Sequence, residues 1–107
     1  MKDQELLLEA IDHYELLTPS RQLVFKNLIK LSGNKNVATI SIKTLSEISK
    51  VGRPTVYDTI EILENHGVVQ RQIIPGSGKR LSSFILNPAA LANIINLYTL
   101  QKKIIHE

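Results

Sequence analysis

The sequence contains no cysteine and no tryptophan. Without cysteine there is no disulfide, no thiolate nucleophile and no cysteine-ligated zinc. Aromatic residues are equally scarce, being only Tyr14, Phe25, Tyr57, Phe84 and Tyr98, so a core must be built mainly from Ile, Leu and Val. No apolar run approaches the roughly 18 residues needed to span a bilayer. The first nine residues carry Asp3, Glu5 and Glu9, the wrong sign for a secretory leader. A cytoplasmic protein without membrane contact is the resulting expectation. The histidines, His13, His66 and His106, fall in three separate segments, and none stands at a metal-ligand spacing from an acid or another histidine. No nucleophilic serine stands in an elbow motif with an ordered His and Asp. The chain is therefore expected to be neither an enzyme nor a carrier of a metal or other cofactor.

What is present is 107 residues, 43% hydrophobic and 21% charged, which suits one domain over residues 1–107. The formal net charge is +3, but it is unevenly spread. Residues 1–18 hold one Lys against five acids, a balance of −4, and residues 19–107 hold twelve Lys or Arg against five acids, a balance of +7. The basic part is suited to a polyanion, whereas the acidic start is not.

Apolar spacing predicts mostly helix. Leu7, Leu8, Ile11, Tyr14 and Leu17 recur at helical period, giving a first helix over residues 3–17. Thr18-Pro19 then reads as N-cap and first helical residue of a second helix reaching Leu31, which would bury Leu23, Val24, Leu28 and Leu31, with Phe25 at the margin of that face. Gly33 supplies its stop. Val37–Ile40 is a short β-branched run suited to an edge strand. Ser41 is placed to cap a helix over Ile42–Ser49 that buries Leu45 and Ile48, and Lys50-Val51-Gly52 is a tight turn. A further helix opens at Arg53-Pro54-Thr55, buries Val56, Ile60 and Leu63, and closes at Gly67. Two strands, Val68–Ile74 and Leu81–Leu86, flank the turn residues Pro75-Gly76-Ser77-Gly78 and form a hairpin. Asn87-Pro88 caps a last helix running to about Ile105.

The stretch ISIKTLSEISKVGRPTVYDTIEILENHGVV is the most specific part of the chain. Ile40, Leu45, Val51, Gly52, Thr55-Val56-Tyr57, Leu63, Gly67 and Val68-Val69 follow the pattern of the winged helix-turn-helix family of DNA-binding domains, which this chain resembles over about half its length. The resemblance implies a mainly α fold with a small β-hairpin wing. The helix-turn-helix would occupy residues 41–67 and the wing 68–87. Extra helices at 1–17 and 88–106 would flank them. The passage from the second motif helix to Leu86-Asn87-Pro88 also resembles small plasmid replication proteins. Gly52 departs from the pattern, which more often places Ser or Thr before the recognition helix.

In such a fold, the first turn of the second helix enters the major groove. Arg53 is suited to guanine or phosphate, Thr55 to a thymine methyl or phosphate, and Tyr57 to backbone or base edge. Asp58 would accept from a cytosine amino group or hold Arg53. Lys43, Thr44 and Lys50 are further candidate phosphate contacts. The wing tip, with Ser77, Lys79 and Arg80, is basic, and no acid lies between Val68 and Leu86. Against this stand Asp58, Glu61 and Glu64 on the recognition helix. The tip's Gly-Ser-Gly-Lys is not a Walker phosphate loop, because it joins two strands.

Both terminal helices are rich in apolar residues. A small domain has limited capacity to bury both. The expectation is a homodimer through Leu7, Ile11, Leu91, Ile94, Ile95, Tyr98 and Ile105, presenting two recognition helices to a palindromic duplex. A sequence-specific, double-stranded-DNA-binding transcriptional regulator is the leading functional expectation. A plasmid replication or maintenance protein and a winged-helix protein-interaction module are the alternatives. Nothing in the sequence specifies a target site, a direction of regulation or a small-molecule effector.

Overall fold

Pro19 sets the first turn of the central helix, because its fixed φ suits that position and its missing N–H would be unpaired there in any case. In the computed structural model, which describes residues 2–76 and 80–105 and the side chains of 4–76 and 80–104, this helix is α2, Pro19–Ser32. It is preceded by α1, Lys2–Ile11, and followed by a 3-10 turn, Gly33–Lys35. Then come β1 (Val37–Ser41), α3 (Ile42–Ser49), α4 (Arg53–Asn65), β2 (Val69–Ile73), β3 (Leu81–Leu86) and α5 (Pro88–Ile105). Among the described residues, five helices and one antiparallel sheet of order β1-β3-β2 make a winged helix-turn-helix, the expected fold class.

Local chemistry explains the boundaries. Ser41 Oγ accepts the Thr44 N–H at 3.0 Å and donates to Thr44 Oγ1 at 2.9 Å, satisfying one of the amides left unpaired at the start of α3. Lys50, at φ 55, closes α3 in the left-handed region. At the end of α4, Gly67 takes φ 69, where a side chain would be strained. Its N–H donates to the Glu64 carbonyl at 3.0 Å, and that of Val68 to the Leu63 carbonyl at 2.8 Å. Asn87 then ties the sheet to both neighbouring helices. Its Nδ2 donates to the Gly67 carbonyl, and its Oδ1 accepts the Ala89 N–H at the start of α5.

Four expectations about the helices need correction. The first helix ends at Ile11 rather than continuing to Leu17. Tyr14 and Leu17 still face the interior, but from a chain of turns, and Gln22 Nε2 lies within hydrogen-bond reach of both their carbonyls at 3.1 and 3.0 Å. A few inward apolar residues after a helix thus imitate its continuation. Thr18 stands at the start of α2 without a side-chain capping bond, leaving Pro19 as the stronger signal there. On α2 the buried set is Val24, Phe25, Leu28, Ile29 and Ser32, whereas Leu23 and Leu31 are exposed. This helix packs against α1, α3, α4 and β1, and its apolar residues occupy more than one face, so periodicity alone does not select the buried one. Similarly, α3 buries Ile42, Leu45 and Ser49, leaving Ile48 exposed.

In the sheet, Ala38 opposes Phe84, Ile40 opposes Ser82, Val69 opposes Leu86 and Arg71 opposes Phe84. Strand alternation sends Ser82, Phe84 and Leu86 of β3 inward, where all three are buried. The core joins these to Val24, Phe25 and Leu28 of α2, Leu45 of α3, and Val56, Ile60 and Leu63 of α4.

The terminal helices pack on each other within one chain. Leu7 and Ile11 of α1 and Leu91, Ile94 and Tyr98 of α5 are buried there, and Ile95 packs partly buried against the same cluster. Within the single chain these side chains thus pack into its own core. The side chain of Ile105 lies outside the described residues. Tyr98 Oη donates to Glu9 Oε2 at 2.8 Å, locking the helices together. That bond first, then desolvation and the charges of Glu9 and Asp12, raise the Tyr98 pKa above its ordinary 10.0. What α5 leaves uncovered is Leu97, Leu100 and Ile104, at 55%, 55% and 63% exposure.

Candidate nucleic-acid interface

The turn Lys50-Val51-Gly52 joins α3 to α4, and its geometry is held from within: Ser46 Oγ donates to the Val51 carbonyl, and the Val51 N–H donates to the Ser46 carbonyl at 3.2 Å. Val51 packs partly buried against the core, between the two helices that it connects. Gly52 takes extended backbone and accepts the Val56 N–H at 3.3 Å, but without a side chain it offers no hydroxyl to a ligand. Val56, Thr59, Ile60 and Leu63 anchor α4 inward. Buried Thr59 meets its polar requirement by donating Oγ1 to the Thr55 carbonyl at 2.7 Å.

This anchoring leaves the first turn of α4 outward. Arg53, Pro54, Tyr57 and Asp58 are exposed, and Thr55 is half-buried. Unpaired amides at a helix start carry a partial positive charge, so anions are favoured there. Lys43 and Thr44 are exposed in the first turn of α3, although Thr44 already bonds with Ser41. Lys50 is exposed in the turn. On the wing, Arg80 is exposed at φ 52, while Ser77 and Lys79 lie outside the described residues.

Two contacts alter the electrostatics expected from sequence. Asp58 pairs with Arg21 of α2 at 3.6 Å, and no ion pair joins it to Arg53 among the described residues. An exposed pair of this kind adds little stability, but it places a cation against one of the three acids on α4. The second contact joins the helix to the wing. Arg71 of β2 lies with its guanidinium carbon 5.6 Å from the centroid of the Tyr57 ring, within cation–π range. Its Nε donates to Ser82 Oγ at 2.9 Å, and its backbone N–H meets Glu64 Oε2 at 3.4 Å. Neither Arg71 nor Arg21 stood out in the sequence. For Arg71 a signal existed: alternation from buried Val69 puts Arg71 on the helix-facing side of β2. For Arg21, nothing short of the packing of α2 on α4 identifies the partner.

His66, at the end of α4, turns its Nδ1 to the Ile62 carbonyl at 2.9 Å, which requires that nitrogen to carry the proton. The arrangement as a whole is a partly cationic surface made by a helix start and a hairpin, with chemistry suited to hydrogen-bond acceptors and anions.

Solved structures share this fold over nearly the whole chain. "Possible transcriptional regulator from Methanosarcina mazei Go1" aligns with a TM-score of 0.58 and 19% identity, covering 96% of this chain and 81% of that one. The ST1889 protein from the thermoacidophilic archaeon Sulfolobus tokodaii aligns at 0.57 with 13% identity, covering 99% and 96%. A protein described as a "probable transcriptional regulator from Pseudomonas aeruginosa" aligns at 0.54 with 23% identity, covering 94% and 70%. No protein-family model matches the chain, and no curated protein matches it in sequence. At these identities the likeness is one of fold.

Proposed function

We propose that the chain is a sequence-specific double-stranded-DNA-binding protein that acts as a dimeric transcriptional regulator. The observation that carries this reading is the outward first turn of α4, with Arg53, Thr55 and Tyr57 held on a helix whose opposite face is buried. A helix of this diameter fits the major groove, and the basic, acid-free hairpin beside it is suited to backbone or minor groove. Lys43, Thr44, Lys50 and Arg80 would add phosphate contacts, and Asp58, paired with Arg21, would contribute less. The regulator descriptions of the fold neighbours from Methanosarcina mazei and Pseudomonas aeruginosa agree with this role. The test is titration with mixed-sequence duplex DNA over a salt series. Affinity is expected to fall along a logarithmic slope of about −0.9 for each phosphate neutralised. Absence of salt-sensitive binding at low salt would instead favour a protein-interaction module.

Dimerisation through α5 would bring two recognition helices to half-sites about 34 Å apart. With Leu91, Ile94 and Tyr98 committed to the chain's own core, the surface for this is the stripe Leu97, Leu100 and Ile104, spaced three and four residues apart. Replacing all three by serine is expected to give a monomer by analytical ultracentrifugation. The same variant should bind a two-half-site duplex about a hundredfold more weakly, through loss of avidity. A wild-type protein that is already monomeric at about micromolar concentration removes the dimer from the proposal.

A further inference from the structure

Arg71 is an unusual side chain for its position. It sits on the helix-facing side of β2, directly opposite the fully buried Phe84 of β3, where an apolar residue would be the ordinary choice. Of its five N–H donors, the side chain uses Nε on Ser82 Oγ. No carboxylate forms an ion pair with it among the described residues. The Glu64 carboxylate meets the Arg71 backbone N–H rather than the guanidinium, and Asp58 pairs with Arg21. One cationic group is thus half-buried and oriented, yet its charge is unmatched within the described fold.

The position is also informative. Ser82 holds the guanidinium from the sheet, and the Tyr57 ring flanks it from α4. The group therefore bridges the recognition helix and the wing. Tyr57 is itself exposed on the outward side of α4, so the guanidinium lies at the same surface. Two restraints from different elements reduce the rotamer freedom that an arginine normally loses on binding.

We propose that Arg71 is a pre-oriented phosphate clamp, its terminal nitrogens holding one backbone phosphate of nucleic acid between α4 and the wing. Planar N–H donors match phosphate oxygens in paired geometry, and the cation is presented without first breaking an internal ion pair. The cation–π contact with Tyr57 also makes the clamp a positioning element, because it couples the place of the recognition helix to that of the hairpin. The proposal rests on the duplex-binding reading above.

The experiment measures affinity for one fixed duplex over a salt series, using wild type, R71Q and R71K, with circular dichroism and thermal melting on each. R71Q is expected to bind on the order of ten- to a hundredfold more weakly and to flatten the logarithmic salt slope by about 0.9, the loss of one phosphate contact. R71K keeps the charge but loses the planar fork, so its slope should stay at the wild-type value while affinity falls severalfold. An R71Q slope equal to wild type, even with a lowered melting temperature, makes Arg71 a structural cross-link and overturns the clamp. If R71Q does not fold, R71K decides: unchanged slope with weaker binding supports the clamp, and unchanged affinity overturns it. Wild-type protein that binds no duplex overturns the functional reading itself. Wild-type binding with an insensitive Arg71 overturns only this inference.

Discussion

Alanine at Arg53 is expected to weaken binding to a cognate duplex about ten- to a hundredfold while leaving the melting temperature nearly unchanged. Arg53 is the first residue of α4, is exposed and has no ion pair among the described residues. Removing such a side chain changes stability by about 0.5 kcal/mol or less. Its guanidinium fork and the positive end of α4 act in the same direction, on guanine O6 and N7 or on a phosphate. A bidentate base contact contributes about 1–3 kcal/mol of discrimination, and about 1.4 kcal/mol corresponds to tenfold in affinity. Comparing cognate with mixed-sequence duplex separates the two targets. A base contact makes the loss larger on cognate DNA, whereas a phosphate contact makes it uniform. No loss on either duplex would remove Arg53 from the interface.

Phe84→Ala is expected to have the largest effect on the fold, costing about 3–5 kcal/mol in urea unfolding. Phe84 is fully buried on β3, the strand that pairs with both β1 and β2. Its partners in register are Ala38 and Arg71, neither of which has a large apolar side chain to fill the space left by the ring. Small domains have about 5–15 kcal/mol of total stability, so the variant would be close to unfolded at ambient temperature. DNA binding would then fall with the folded fraction, and a salt slope measured on the remaining folded protein should stay unchanged. A cost below about 1 kcal/mol would mean that the sheet does not depend on this ring.

The two substitutions probe different kinds of information. Arg53 was visible from sequence because its neighbours define the helix start: Gly52 before it, Pro54 after it, and Val56, Ile60 and Leu63 behind it. The buried and exposed sides of α4 follow from that stripe, and the structure places them accordingly. Ser41 was legible for the same reason, since a capping serine acts on an amide three residues away. The hairpin was legible from turn residues between two β-rich runs. The second strand, Leu81–Leu86, has the expected span, and the first is one residue shorter at each end, as Val68 and Ile74 fall outside β2.

Other features depend on partners distant in sequence. Val24 and Leu23 are chemically similar neighbours on α2, and only the placement of α1, α3, α4 and β1 decides that the first is buried and the second exposed. Asp58 lies five residues from Arg53, a separation compatible with a local pair, but α2 brings Arg21 to it instead. Arg71 and Ser82 meet through strand pairing, and Arg71 and Tyr57 through the packing of wing on helix. The apolar terminal helices were legible as helices in need of cover, but not as cover for each other.

The sequence by itself determined the fold class, the turn between α3 and α4 and the outward amino-terminal surface of α4. These follow from interactions spanning a few residues: caps, tight turns and the 3.6- and 2-residue periods. Only the tertiary structure decided which face of α2 is core, that Leu7, Ile11, Leu91, Ile94 and Tyr98 are consumed within one chain, and that Arg71 stands between Tyr57 and Ser82. Those outcomes depend on long-range packing, where several apolar residues compete for one limited interior and a charged group goes wherever the backbone leaves it a polar partner.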